Sequence, residues 1–223
     1  MFMRPCSRLR KKSAVTLLEV LVLVVVMVLI AGVLLPALYR PTGKAPRISC
    51  VNNLKNVGLA LRIFCTDNNG QFPWQLSGTN GTKDLLTDPG SGWQHFRFIS
   101  NELSSTMLLV CPSDSGRKRS SSFTNFGPAN LSYFLGLQAN ELIPEAIRSG
   151  DRNLTTNGVE VGPGQLLLGT NQNAGFSMKI HKYAGNVLLA DGSVQQVTSA
   201  RFQQTVVEAA VVSTNAINRL LIP

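Results

Sequence analysis

Charge is scarce in this chain. Only 15% of its 223 residues are Asp, Glu, Lys or Arg, against ~25% in an ordinary soluble protein. The shortage excludes a disordered polyelectrolyte, which is charge-rich and apolar-poor, since 44% of the residues here are hydrophobic. It also excludes a coiled coil, which needs far more Glu, Lys and Arg. Histidine is scarcer still, with His95 and His181 alone. No G-x-S-x-G, H-E-x-x-H or phosphate-loop motif occurs, so no catalytic motif marks the chain as an enzyme and none is expected. The four cysteines are Cys6, Cys50, Cys65 and Cys111, and no two stand at the C-x-x-C spacing of a zinc site.

What charge there is has an uneven placement. The net charge is +9, from 21 basic and 12 acidic residues. Arg4, Arg8, Arg10, Lys11 and Lys12 all precede residue 15, and without these five the excess falls to +4. The remaining cations are scattered apart from Arg117-Lys118-Arg119. Phosphate affinity needs a patch rather than a total, so no nucleic-acid partner is expected. Directly after the basic head, residues 15–38 are almost wholly apolar, and 20–35 hold no polar side chain. That length approaches the ~20 residues of a bilayer-spanning helix. A basic head before such a run is a topology signal that keeps the N-terminus in the cytoplasm. The run is longer than a signal-peptide core and lacks an A-x-A exit. It also carries Glu19, and an acid inside a membrane helix is costly and usually functional.

The segment Lys11-Lys12-Ser13-Ala14-Val15-Thr16-Leu17-Leu18-Glu19-Val20 resembles the class III signal of type IV prepilins and type II secretion pseudopilins. Thr16, Leu17, Glu19 and Val20 match that pattern, and Leu18 is a close substitute. Ala14 stands where the family usually has Gly, and Val15 where it usually has an aromatic residue. The resemblance implies cleavage between Ala14 and Val15 by a prepilin peptidase, followed by N-methylation of Val15. It makes Glu19 the fifth mature residue, paired with a neighbouring subunit's amine during assembly, and Pro36 the twenty-second, where a proline is common. The implied fold is α+β and pilin-like, with a long N-terminal helix, its first half transmembrane, packed on a small, mostly antiparallel sheet. Other pseudopilin subunits and inner-membrane lipid are the implied partners.

Pro41, Gly43 and Pro46 predict a break near 40–46. Helix resumes to Asp67, with Ile48, Val51, Leu54, Val57, Leu61 and Phe64 on one face, and Asn68-Asn69-Gly70 stops it. The chain thus divides into a basic leader (1–14), a transmembrane helix (15–38), a hinge (39–46) and a globular domain (47–223). Cys50 and Cys65 share this helix about 22 Å apart, too far for a disulfide. In an exported body either could pair with Cys111, and buried thiols are the alternative. The stretches 48–60 and 67–73, with His181 nine residues before Asp191-Gly192, resemble the pseudopilin-like proteins of planctomycete and verrucomicrobial bacteria that carry a C-terminal H-x9-D-G signature.

Within the body, residues 72–130 are rich in Gly, Ser, Asn and Pro and predict loops with one strand at 107–111. Further strands are expected at 132–137, 165–169, 187–190 and 194–197, the last two flanking an Asp191-Gly192 turn. A helical turn is expected at 142–148 and a helix at 200–221, with Phe202, Val206, Ala209 and Ala210 on its apolar face. A cofactor is not expected, but calcium prefers clustered oxygens, and Asp151, Asp191 and Asp67-Asn68-Asn69 are candidate ligands. Asp151 and Arg152 also suggest a surface pair. His181 is expected to brace the hairpin. Two further readings stand beside the fibre subunit: a tethered, non-polymerising binding module, and an anchored hydrolase using His181 and Asp191.

Overall fold

The computed structural model describes residues 16–38, 45–138, 142–212 and 217–223. It divides into two compact units, residues 1–42 and 43–223. In the first, helix α1 runs Leu17–Leu38, 22 residues. Thr16 starts it, its Oγ1 accepting from the Glu19 backbone N–H at 3.3 Å. Every side chain described there, residues 16–32, is exposed. Among residues whose side chains are described, no helix is long and apolar enough to cross a membrane. The backbone helix of α1 continues to Leu38. Ala14, Val15 and most of the expected hinge lie outside the described residues.

The second unit begins with α2, Ala45–Asp67, close to where periodicity placed it. Leu54, Val57, Leu61 and Phe64 are buried as expected, together with Cys50, Ala60 and Cys65. Ile48 is 55% exposed, so the buried stripe is rotated toward the cysteine side of the helix. Asn69 and Gly70 then turn the chain with φ of 56° and 79°, the left-handed conformation that Asn and Gly tolerate best.

Residues 72–130 hold more helix than expected. α3 (Gly92–Phe98) and α4 (Ser100–Leu103) are short helices. The strand expected at 107–111 is instead a 3-10 turn, Thr106–Leu109, opened by Ser105 Oγ accepting from Met107 N–H. That local side-chain bond offers the backbone an alternative to a ladder.

Among the described residues nine strands follow: β1 (Tyr133–Gly136), β2 (Ile147–Asp151), β3 (Leu154–Thr156), β4 (Val159–Glu160), β5 (Gly164–Gly169), β6 (Ala174–Phe176), β7 (Ala184–Leu189), β8 (Val194–Thr198) and β9 (Ile217–Ile222). Between β8 and β9 lies α5, Ser199–Val212. The main sheet has order β5-β9-β1-β2-β7-β8, with every pairing antiparallel. A second, three-stranded sheet has order β4-β3-β6. The fold is therefore mixed α+β.

Two expectations fail here. Residues 147–148, expected in a helical turn, open β2, which is buried throughout. The helix expected to reach 221 ends at Val212, and β9 enters the sheet between β5 and β1. The reason is common to both. Alternate residues of the central strands feed two different cores. Tyr133, Leu135, Leu188 and Leu221 join the α2 core. Phe134, Val187, Leu189, Leu220 and Ile222 join the core beneath Phe202, Val206 and Ala209 of α5. A strand covered on both faces reads as an unbroken apolar run, and periodicity cannot separate that from a buried helix.

Candidate functional site

Where α2 meets the sheet, polar residues gather in the α2 core. The Cys50–Cys111 disulfide (S–S 2.06 Å, Cα–Cα 5.0 Å) ties the start of α2 to the loop after the 3-10 turn. Both cysteines are fully buried. One turn along the helix, Asn53 Nδ2 donates to the Val110 carbonyl at 3.2 Å, so bond and hydrogen bond hold the same two segments. Cys65 is buried elsewhere along α2, outside the disulfide.

His181 faces this disulfide. Its Nε2 lies 3.5 Å from Cys111 Sγ, 3.4 Å from Asp151 Oδ2 and 3.1 Å from Asn186 Nδ2. Asn186, on β7, also donates to Asp151 Oδ2 from its backbone N–H (2.7 Å) and its amide (2.9 Å). The Asn186 amide thus orients both partners, and its donation to Nε2 places the imidazole proton on Nδ1. Asp151 is completely buried and its Oδ1 has no hydrogen-bond partner.

Burial sets the charge state of both groups. It pushes the Asp151 carboxyl up to about 7, against the opposing pull of the two Asn186 N–H bonds. It pushes His181 down to about 4, helped by the positive charge of Arg47 near the start of α2. The centre therefore favours neutral forms. Burial first, and the Asp151 charge second, also push the Tyr133 phenol up.

The backbone that presents His181 is unusual. Lys182 and Tyr183 are consecutive left-handed residues, with φ of 54° and 62°. Such conformations are uncommon for bulky side chains and persist only where surroundings enforce them. Asn153 supplies the constraint: its Nδ2 donates to the Ser177 carbonyl and its own carbonyl accepts from Ser177 N–H. Ser199 Oγ donates to the Tyr183 carbonyl at 3.0 Å. The segment 177–183 is thereby clamped at both ends.

The structure redistributes the residues singled out in the sequence. His181 and Asp191 do not meet. Asp191 and Gly192 are exposed at the β7–β8 turn, where Asp191 Oδ1 accepts from Ser193 N–H at 2.7 Å and Gly192 has φ 88°. Asn186, opposite Asp151, is five residues from Asp191 along the strand, about 16 Å. The structure thus brings Asp191 neither to His181 nor to Asp151, the two residues the sequence reading set beside it. Asp151 and Arg152 are not a surface pair either. Arg152 binds Asp114 bidentately at 2.8 and 2.9 Å, while Asp151 turns inward. In the expected basic cluster, Arg117 donates to the carbonyls of Leu131 and Pro223. Glu19 sits in the first turn of α1 and Pro36 in its last.

Sequence reasoning left Cys50–Cys111 as one of two pairings and missed that Asp151, His181 and Asn186 gather beside it. One signal was present: the 48–60 stretch and the H-x9-D-G signature, chosen as separate marks, meet here through Cys50 and His181. No family model, curated protein or solved structure matches the chain.

Proposed function

We propose that this chain is a pilin-like structural subunit. In this reading residues 15–38 anchor it in the cytoplasmic membrane, with the N-terminus in the cytoplasm and the body outside. Prepilin peptidase cuts between Ala14 and Val15, and the product joins other subunits in a pseudopilus of a type II secretion or type IV pilus-like machine. The observation that carries the reading is α1. From Leu17 to Gly32 its side chains are apolar apart from Glu19, and all are exposed. Water does not tolerate so long an apolar surface, and lipid together with the α1 helices of neighbouring subunits would cover it. Within such a bundle Glu19 is expensive unless it meets a cation, and the freed Val15 amine of the next subunit is one. The Cys50–Cys111 disulfide suits a body held in an oxidising compartment.

The test is the N-terminus of the mature chain, read by mass spectrometry from its native membrane, together with cross-linking of wild type and Glu19→Ala. An N-methylated Val15 and a cross-linked ladder that Glu19→Ala abolishes are expected. An intact leader with no ladder overturns the reading. That result would favour a tethered module that does not polymerise. One observation favours this second reading: residues 43–223 form a compact unit with a core of their own.

A further inference from the structure

Three ligand-type atoms converge beside the start of α2, with a carboxylate next to one of them. The Sγ atoms of Cys50 and Cys111 and Nε2 of His181 all lie within 4.8 Å of one another. Oδ2 of Asp151 is 3.4 Å from that Nε2, and Cys111 Sγ is 3.5 Å from it. A tetrahedral zinc ion, with bonds of ~2.3 Å to sulfur and ~2.0 Å to nitrogen or oxygen, holds S and N ligands ~3.5 Å apart and N and O ligands ~3.3 Å apart. The Cys111–His181 and His181–Asp151 separations are already met. The sulfurs, bonded to each other, must part to ligate, and the Asp151 carboxylate must move toward them. His181 is in the tautomer a metal needs, its Nε2 lone pair taken by the Asn186 amide in the oxidised protein. Asp151 supplies a carboxylate whose other oxygen is buried without a partner.

We propose that, once the Cys50–Cys111 disulfide is reduced, Cys50, Cys111 and His181 form a site for a zinc-class divalent cation, and that the Asp151 carboxylate beside His181 moves in as the fourth ligand. The same two sulfurs then close α2 onto the body in either of two ways, as a disulfide or through a metal. The opening step is exchange with a dithiol reductant. Two electrons and two protons pass to the protein sulfurs, the S–S bond breaks, and the reductant leaves as its own disulfide. Metal binding then expels both thiol protons, since thiolates are the ligands. The ion also displaces the Asn186 amide from Nε2. Two thiolates and an imidazole select zinc over calcium or magnesium. This site is independent of whether the chain polymerises.

Cobalt(II) is a suitable probe, because thiolate ligation gives near-ultraviolet charge-transfer bands and tetrahedral geometry gives intense visible bands. The experiment uses the full chain carrying Cys6→Ser, purified in detergent, oxidised or reduced with a phosphine. Reduced chain is expected to take one equivalent of cobalt with both sets of bands, which zinc then bleaches. Oxidised chain is expected to show neither, and this control needs no further mutation. Cys65→Ser is expected to leave the bands intact, Cys111→Ser to remove them, and His181→Gln and Asp151→Asn each to weaken affinity by about tenfold or more. Colourless reduced chain, equal bands in oxidised chain, or bands that survive Cys111→Ser would each overturn the proposal. Unchanged affinity in Asp151→Asn would overturn the assignment of the fourth ligand.

Discussion

Replacing Cys50 and Cys111 together by alanine should lower the stability of the body by about 4 kcal/mol. The bond closes a loop with a sequence separation of 61. In the chain-entropy account a loop of this length removes ~14 cal/mol/K from the unfolded ensemble, or ~4 kcal/mol at 25 °C. The native contacts around the bond are otherwise retained, because Asn53 still holds Val110 and the α2 core still covers both positions. Guanidinium unfolding followed by tryptophan fluorescence measures the difference. Trp74 is 3% exposed and stacks on Phe72, and Trp93 packs edge-on against Phe126, so both report on the body. A chelator in all samples keeps metal binding out of the comparison. The double variant should unfold at a lower midpoint with a similar slope. A loss below about 1 kcal/mol would refute the reasoning, since loop closure would then contribute little beyond what hydrogen bond and packing already supply.

Three other perturbations test separate parts of the fold. His95 is buried, its Nδ1 lies 2.6 Å from Thr82 Oγ1, and burial pushes its pKa down to about 4. A pKa lowered on folding adds stability that is fully present above ~6.5 and is lost as pH falls toward 4, up to about 3 kcal/mol. His95→Gln should therefore flatten the slope of stability against pH between 4 and 6.5 by up to one proton, and superimposable slopes would count against it. Gly136→Ala should destabilise the body by about 3 kcal/mol, because the new methyl would lie 1.8 Å from the Ile147 carbonyl oxygen in the neighbouring strand; an unchanged denaturation midpoint would show that β1 and β2 can part without loss. Asp114→Asn should cost about 2 kcal/mol, because it leaves Arg152 facing a buried neutral amide; thermal unfolding decides it, and a shift within error would show that water replaces the pair.

Local chemistry was legible in the sequence. Spacing along 48–64 marked α2, Asn68-Asn69-Gly70 marked its end, and Asp191-Gly192 marked the β7–β8 turn, because helix periodicity and left-handed turn residues act over a few positions. Phe202, Val206, Ala209 and Ala210 were correctly assigned to the buried face of α5. Covering both faces of the main sheet hid the rest. Residues 147–151 and 217–222 become strands only because α2 lies over one face of the sheet and α5 over the other, and an isolated apolar run cannot announce which neighbours it will have. The polar centre is the extreme case. Cys50, Cys111, Asp151 and His181 are far apart in the chain, and neither charge pattern nor motif spacing links them. Tertiary structure decided that His181 meets Asp151 rather than Asp191, because strand register carries Asn186 to Asp151 and leaves Asp191 in solvent at the far end of the hairpin.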